Sequence, residues 1–189
     1  MQSDVKKNLY IVAGANGSGK TSFAKSYAKL NKLYFINADE IAKRYDPNDL
    51  QKYKVKAGRE FFKELKEYLY DKNESFIIET TLSGKYLVGV IKKAKEQKFR
   101  VVLIYLFLDS YEENIFRVKH RVLNGGHDVP KEDIIRRYHR SKVLFWNLYK
   151  EKVDDWILFF NGDDSYELVA ENDDIINEVL FELFKKDIK

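Results

Sequence analysis

Eight residues constrain this chain more than any others: Gly14-Ala15-Asn16-Gly17-Ser18-Gly19-Lys20-Thr21, which fit the pattern G-x-x-x-x-G-K-[ST]. In such a run the glycines let backbone amides turn inward as a cradle. The helix that follows directs partial positive charge at whatever sits there. The flanks agree. The apolar stretch Leu9-Tyr10-Ile11-Val12-Ala13 precedes the run, and Phe23, Ala24, Tyr27 and Ala28 behind it share one helical face. Strand, loop and helix in that order place Gly14, Ala15, Asn16, Gly17, Ser18, Gly19 and Lys20 around phosphates, with the Thr21 hydroxyl on Mg2+. A glycine-rich turn that binds nothing needs no such setting. The chain is read as binding a nucleoside triphosphate.

Apolar runs alternate with amphipathic stretches from end to end. Strands are expected at about 9–13, 34–36, 76–78, 101–108, 156–160 and 166–170. Helices fill the intervals, and Phe145, Trp146 and Tyr149 at helical spacing read as core. The last helix is expected to pack Ile175, Ile176, Val179, Leu180 and Leu183. Near-continuous apolar strands between helices argue for a parallel sheet covered on both faces. Ligands of such sheets bind outside the carboxyl ends of the strands. The glycine run follows the first strand, Asp39 the second, Glu79 the third and Asp109 the fourth, so three acids and a phosphate cradle are expected on one rim. No repeat or linker interrupts residues 1–189, which read as one domain.

The acids suit different work. Asp39 is placed to orient an acceptor hydroxyl and take its proton; with Glu40 it also suits a helix start by opposing the dipole. Glu79 resembles a Walker B carboxylate, which holds Mg2+ through water or binds substrate, and Thr80, Thr81 and Ser83 follow as hydrogen-bonding groups. Asp109 reads instead as part of a helix start, because Ser110 and Glu113 have the spacing of a capping box.

Arginines are the second signal. Arg117 and Arg121 lie four apart on one helical face, and Arg136, Arg137 and Arg140 follow the break Asn124-Gly125-Gly126-His127-Asp128-Val129-Pro130. Like charges at this spacing cost a few tenths of a kcal/mol in an isolated helix unless something negative is near. Glu113 relieves Arg117 alone. Two arginine-bearing helices around a Gly-Gly hinge read as a lid, about residues 121–140, that closes over phosphates, since the guanidinium fork bonds phosphate oxygens in pairs. A solvated basic face is the plainer alternative. His127 at the hinge could touch phosphate, although a lone loop histidine is more often incidental.

Composition excludes several classes. There is no cysteine, so no disulfide, thiolate metal site or cysteine nucleophile, and this fits a reducing cytoplasm. Residues 1–7 are polar, without the apolar core of a signal peptide, and no run approaches the roughly 20 apolar residues of a membrane span. Thirty-four basic against 30 acidic residues leave +4, too balanced to argue for nucleic acid.

The ordered set resembles the zeta-toxin kinases: the glycine run, then Ile36-Asn37-Ala38-Asp39, then Ile78-Glu79-Thr80-Thr81-Leu82-Ser83-Gly84, then the arginine-rich segment around Gly-Gly-His-Asp-Val-Pro. The resemblance spans about residues 8–162. It implies a P-loop three-layer α/β/α fold, strand order 2-3-1-4-5, and ATP with Mg2+. It also implies an acceptor such as the sugar 3′-hydroxyl of UDP-N-acetylglucosamine, whose phosphorylation blocks peptidoglycan synthesis. Asp39 would then be the catalytic base, with Lys20 and lid arginines as its catalytic companions. Arg121 and Arg137 are the nearest matches to those lid arginines, with Arg136 beside them. Arg117 would add to the nucleotide contacts, and Asp39, Glu79 and Thr80 would meet the acceptor. The chain is shorter than typical toxins and lacks much of the helical material that wraps a sugar nucleotide, and its Gly-Gly-His-Asp-Val-Pro segment resembles that of a compact subgroup whose acceptor need not be the same. An antitoxin protein is the implied partner. A regulatory ATPase or switch, and a kinase of nucleic-acid ends, remain alternative readings.

Overall fold

The computed structural model describes residues 7–47, 49–162 and 165–188. Five parallel strands form its frame: β1 (Asn8–Ala13), β2 (Tyr34–Ile36), β3 (Phe76–Thr80), β4 (Arg100–Phe107) and β5 (Asp155–Asn161). They lie in the expected order β2-β3-β1-β4-β5. Two further strands, β6 (Tyr166–Glu171) and β7 (Asp174–Ile175), extend the sheet to seven, both antiparallel to their neighbours. Short connections account for that direction, because a parallel partner needs a long crossover.

Alternation along the strands splits the core. Leu9, Ile11, Phe76 and Ile78 face one layer, and Val12, Ile77, Ile104 and Leu106 the other. Helix α1 (Lys20–Asn31) covers the second layer with Ala24 and Ala28. The first layer takes Ile41 of α2 (Ala38–Tyr45), Phe61 and Leu65 of α3 (Leu50–Lys66), and Leu87 and Ile91 of α4 (Leu87–Glu96). Helices α5 (Tyr111–Leu123) and α6 (Lys131–Leu144) enclose a small core of their own, Ile115 and Val118 against Val129 and Ile134. Helix α6 runs on into a π-helical turn, Phe145–Tyr149, whose Phe145 and Tyr149 are buried as expected.

Side chains set the starts of α2 and α5. Asn37 accepts hydrogen bonds from the amides of Asp39 (2.7 Å) and Glu40 (3.0 Å) and begins α2; Ser110 accepts from the Glu113 amide at 3.3 Å and begins α5. Each such cap contributes about 1 kcal/mol. The C-terminal helix, α7 (Glu178–Lys185), starts later than the sequence suggests. Asn172, with φ of 51°, turns the chain back onto β6, so Ile175 joins the sheet edge. Asn177 then caps Leu180 at 3.0 Å. Ile175, Ile176 and Val179 are consequently exposed (48%, 56% and 79%), and Phe181 and Phe184 fill the core in their place.

Candidate active site

A cleft of about 830 Å³ opens beyond the carboxyl ends of β1, β2 and β3. Asn16, Gly17, Gly19, Lys20 and Thr21 form its floor, Asn37, Asp39, Glu79 and Thr81 one wall, and Arg117, Arg121 and residues 124–128 the roof. It extends to Lys43, Pro47, Leu50 and Gln51, so it is longer than a phosphate cradle alone. The loop demands its glycines. Gly17 and Gly19 have φ of 84° and 86°. An added Cβ would meet the Asn114 carbonyl at 2.5 Å in the first case and Asn161 Nδ2 at 2.2 Å in the second.

Lys20 is buried and donates from Nζ to the Ala15 carbonyl at 2.6 Å. Burial depresses its pKa, Glu79 and Asp39 pull it up, and Arg121 and Arg137 push it down. These five charges therefore share one electrostatic field. The Thr21 hydroxyl donates to Glu79 Oε1 at 3.0 Å, and Asn37 Nδ2 donates to Oε2 at 2.6 Å. Burial raises the Glu79 carboxyl, while Lys20 and these donors lower it. Asp39, at the first turn of α2, keeps 60% of its side chain exposed to the cleft, and its Oδ2 lies 3.5 Å from His127 Nε2.

The arginines divide. Arg121 donates from Nη2 to the His127 carbonyl at 2.9 Å, and its buried Nε has no partner among the described residues. Burial lowers its pKa, opposed by Asp39, Glu79 and Asp128. Arg117 donates to Glu113 (2.7 Å) and to the Gly162 carbonyl (3.2 Å). Arg137 stands behind the loop and not on the cleft wall, donating to Asn16 Oδ1 at 3.0 Å and to Asp133 at 3.3 Å. Arg136 is exposed and paired with Asp133 at 2.7 Å, and Arg140 is exposed, so only Arg137 of the three reaches the P-loop.

One expected acceptor contact lies elsewhere. Thr80 is buried, its Oγ1 accepting from the Leu82 amide (3.1 Å) and the Tyr86 hydroxyl (3.3 Å). One residue further, the phase of the chain brings Thr81 to the cleft instead. Of the three strand-end acids, Asp39 and Glu79 line the cleft; Asp109 is exposed outside it, beside the Ser110 cap that begins α5. Sequence reasoning did not single out Asn114, whose Nδ2 donates to the Asn16 carbonyl at 2.6 Å. Nor did it find Tyr166, whose hydroxyl donates to the Gly19 carbonyl at 3.1 Å. No local motif marks either; they come from elements distant in sequence.

The family model for Zeta toxin matches residues 1–174. The chain belongs to the zeta-toxin family. Among curated relatives of this zeta-toxin chain, an uncharacterized protein of Haemophilus influenzae is 31% identical over 141 residues, covering 71% of the chain and 99% of the relative. A guanylate kinase of Thermotoga maritima is 24% identical over 185 residues, covering 88% and 86%. Of solved structures, the AvrRxo1-ORF1:AvrRxo1-ORF2 complex with sulphate ions aligns at a TM-score of 0.73 and 15% identity, over 95% of this chain but 63% of that one. The PezAT toxin–antitoxin system of Streptococcus pneumoniae aligns at 0.64 and 14%, over 99% and 80%. These likenesses carry the fold. Zeta-toxin membership, with the P-loop cleft, supports a nucleotide-dependent kinase.

Proposed function

We propose that this chain transfers the γ-phosphoryl group of ATP to a hydroxyl of a small molecule, with UDP-N-acetylglucosamine as the first candidate acceptor. The observation that carries the reading is the position of Asp39, a carboxylate exposed to the same cleft as the P-loop lysine and close enough to influence its ionisation. A base must stand there if a hydroxyl is to attack a terminal phosphate.

The residues fit the nucleotide. Gly17 and Gly19 have no room for side chains, and the Arg121 Nε is a buried donor without an acceptor, as a group that meets an anion would be. Lys20 and Arg121 would bond the phosphate oxygens, and Arg117 would approach from the Gly162 side. Arg137 would act beside Asn16. Thr21, held by Glu79, would supply the side-chain oxygen for Mg2+, an ion commonly bound by one or two side chains and substrate phosphates. When bound, Mg2+ neutralises charge on the phosphate oxygens.

Asp39 accepts the proton of the acceptor hydroxyl as its oxygen bonds to phosphorus, and the bond from phosphorus to ADP breaks. Glu79 and Thr81 would wall the acceptor side. Residues 124–128 over the cleft limit the entry of water, which would otherwise be phosphorylated in the acceptor's place. The AvrRxo1-ORF1:-ORF2 complex has been crystallised with ATP, which supports adenine as the base, and PezAT supports an antitoxin as partner. A cytoplasmic setting belongs to the same proposal.

Labelled ATP–Mg2+ incubated with UDP-N-acetylglucosamine and a panel of nucleotides and sugars tests it. Lys20→Ala should abolish transfer. Asp39→Asn should keep ATP binding and lose about 10²–10⁴-fold in kcat. Transfer by Asp39→Asn at the wild-type rate would remove Asp39 as the base. Labelling of a different acceptor would keep the mechanism and change the substrate.

A further inference from the structure

The lid loop carries a histidine that the transfer chemistry leaves unused. His127 is 22% exposed and lines the cleft, with its Nε2 at 3.5 Å from Asp39 Oδ2. Among the described residues of α2, none is hydrogen-bonded to the Asp39 carboxylate. Its amide is held by Asn37, but the side chain reaches into the cleft mostly exposed. The loop, by contrast, is fixed. Gly126 donates from its amide to the Arg121 carbonyl at 2.9 Å, the Arg121 guanidinium grips the His127 carbonyl at 2.9 Å, and Val129 is buried between α5 and α6. Arg121 thus holds both the phosphate side of the cleft and the backbone that presents the imidazole.

We propose that His127 is a positioning residue: with the lid closed, its Nε2–H holds one carboxylate oxygen of Asp39, so that the other faces the acceptor hydroxyl. This rests on Asp39 being the base. It links closure over the phosphates to readiness of the base, so an open lid leaves Asp39 poorly aimed and water poorly activated. Arg121 Nη2 also lies 3.4 Å from Nε2, but its shorter bond to the carbonyl leaves the ring nitrogen for the carboxylate. The charged groups facing the ring are Asp39 and Lys43 of α2, Arg121 of α5 and Asp128 of its own loop. Burial holds the imidazole below its ordinary range, Asp39 pulls it up, Arg121 and Lys43 push it down and Asp128 pulls it up. The ring is then neutral near pH 7, as a hydrogen-bond donor that must not compete for the acceptor's proton should be.

Two measurements test this, one of them independent of activity. The His127 imidazole is titrated by NMR in the whole protein and in Asp39→Asn, with His127→Gln identifying its signal. Loss of the carboxylate should lower the His127 midpoint by about one pH unit. An unchanged midpoint overturns the contact. In transfer to UDP-N-acetylglucosamine, His127→Ala should lower kcat by up to about 10²-fold with the KM for ATP unchanged, and His127→Gln, which keeps a donor, should recover much of the loss. A kcat for His127→Ala equal to wild type overturns the positioning role, as does a loss confined to KM. If wild-type protein labels no acceptor while the NMR coupling holds, the substrate reading fails alone. The same kcat comparison, made on ATP hydrolysis with water as acceptor, then decides for or against the clasp.

Discussion

Gly125 and Gly126 look equivalent in sequence and are not. Gly125 has φ of 80° with open space around its missing Cβ, so it serves the turn. Gly126 needs no left-handed backbone, yet a Cβ there would lie 2.5 Å from Arg121 Cγ and 2.9 Å from its carbonyl oxygen. Gly126→Ala should therefore displace Arg121 and lower kcat by about tenfold or more, toward the ~10²–10³ of losing a charge-stabilising donor outright. The melting temperature should barely move, because the loop tip lies outside the main core. Steady-state kinetics beside a thermal melt checks this, and unaltered kcat would show that the Arg121 position is not critical. At this scale Lys20, Asp39 and Glu79 were legible because strand ends converge on one rim whatever the packing. Thr80 against Thr81 was not, since a shift of one residue decides which hydroxyl a strand end turns to the cleft. Arg137 was half legible: the arginine-rich segment read as a lid over phosphates, but nothing local separated Arg137 from Arg136, because its partner Asn16 lies 121 residues away.

The hairpin of β5 and β6 acts on the P-loop from the side. Asn161 Nδ2 donates to the Ser18 carbonyl at 3.0 Å and the Tyr166 hydroxyl to the Gly19 carbonyl at 3.1 Å. Both carbonyls belong to the cradle, so these bonds hold its amides turned inward. Asn161→Ala removes one bond worth about 1 kcal/mol, and ATP affinity should fall about fivefold in a calorimetric titration. An equal Kd would mean that the loop holds its own shape. The five parallel strands were legible from apolar runs between helices. That β6 runs antiparallel was not, because an apolar run fixes a strand but not its direction. The exposure of Ile175, Ile176 and Val179 escaped for a related reason: the turn at Asn172 and the cap at Asn177 outweigh an apolar spacing that suits a helix.

A buried ion pair joins α6 to the residues that follow α7. Lys142 of α6 is 1% exposed and donates to Asp187, beyond α7, at 2.8 Å; the Tyr138 hydroxyl donates to the same carboxylate at 2.9 Å. Phe184 and Tyr138 place their rings 5.1 and 4.9 Å from the ammonium. The two partners shift in ways that pull apart energetically. Burial raises the Asp187 carboxyl, but its bond and attraction to Lys142 outweigh that and leave it below its ordinary value. Its contribution is thus present above the unfolded carboxylate pKa, about 3.9, and is lost as pH falls through the folded value. Burial lowers Lys142 as well, more than Asp187 raises it. A depressed lysine favours folding only where it is neutral, so at pH 7 the ammonium costs stability that Asp187 offsets in part. The pair is therefore worth little as a unit and much when halved. Asp187→Asn should cost about 3 kcal/mol, the low end for a broken buried pair because Asp187 is still 26% exposed. It should also flatten the loss of stability below pH 4. Lys142→Met with Asp187→Leu should lie near wild type. Urea unfolding from pH 3 to 8 checks all three, and a double variant as unstable as Asp187→Asn would show that packing, not charge, sets this corner. Because α6 also carries Arg137, the variant that loosens the pair should lose transfer activity at temperatures where the sheet is still folded.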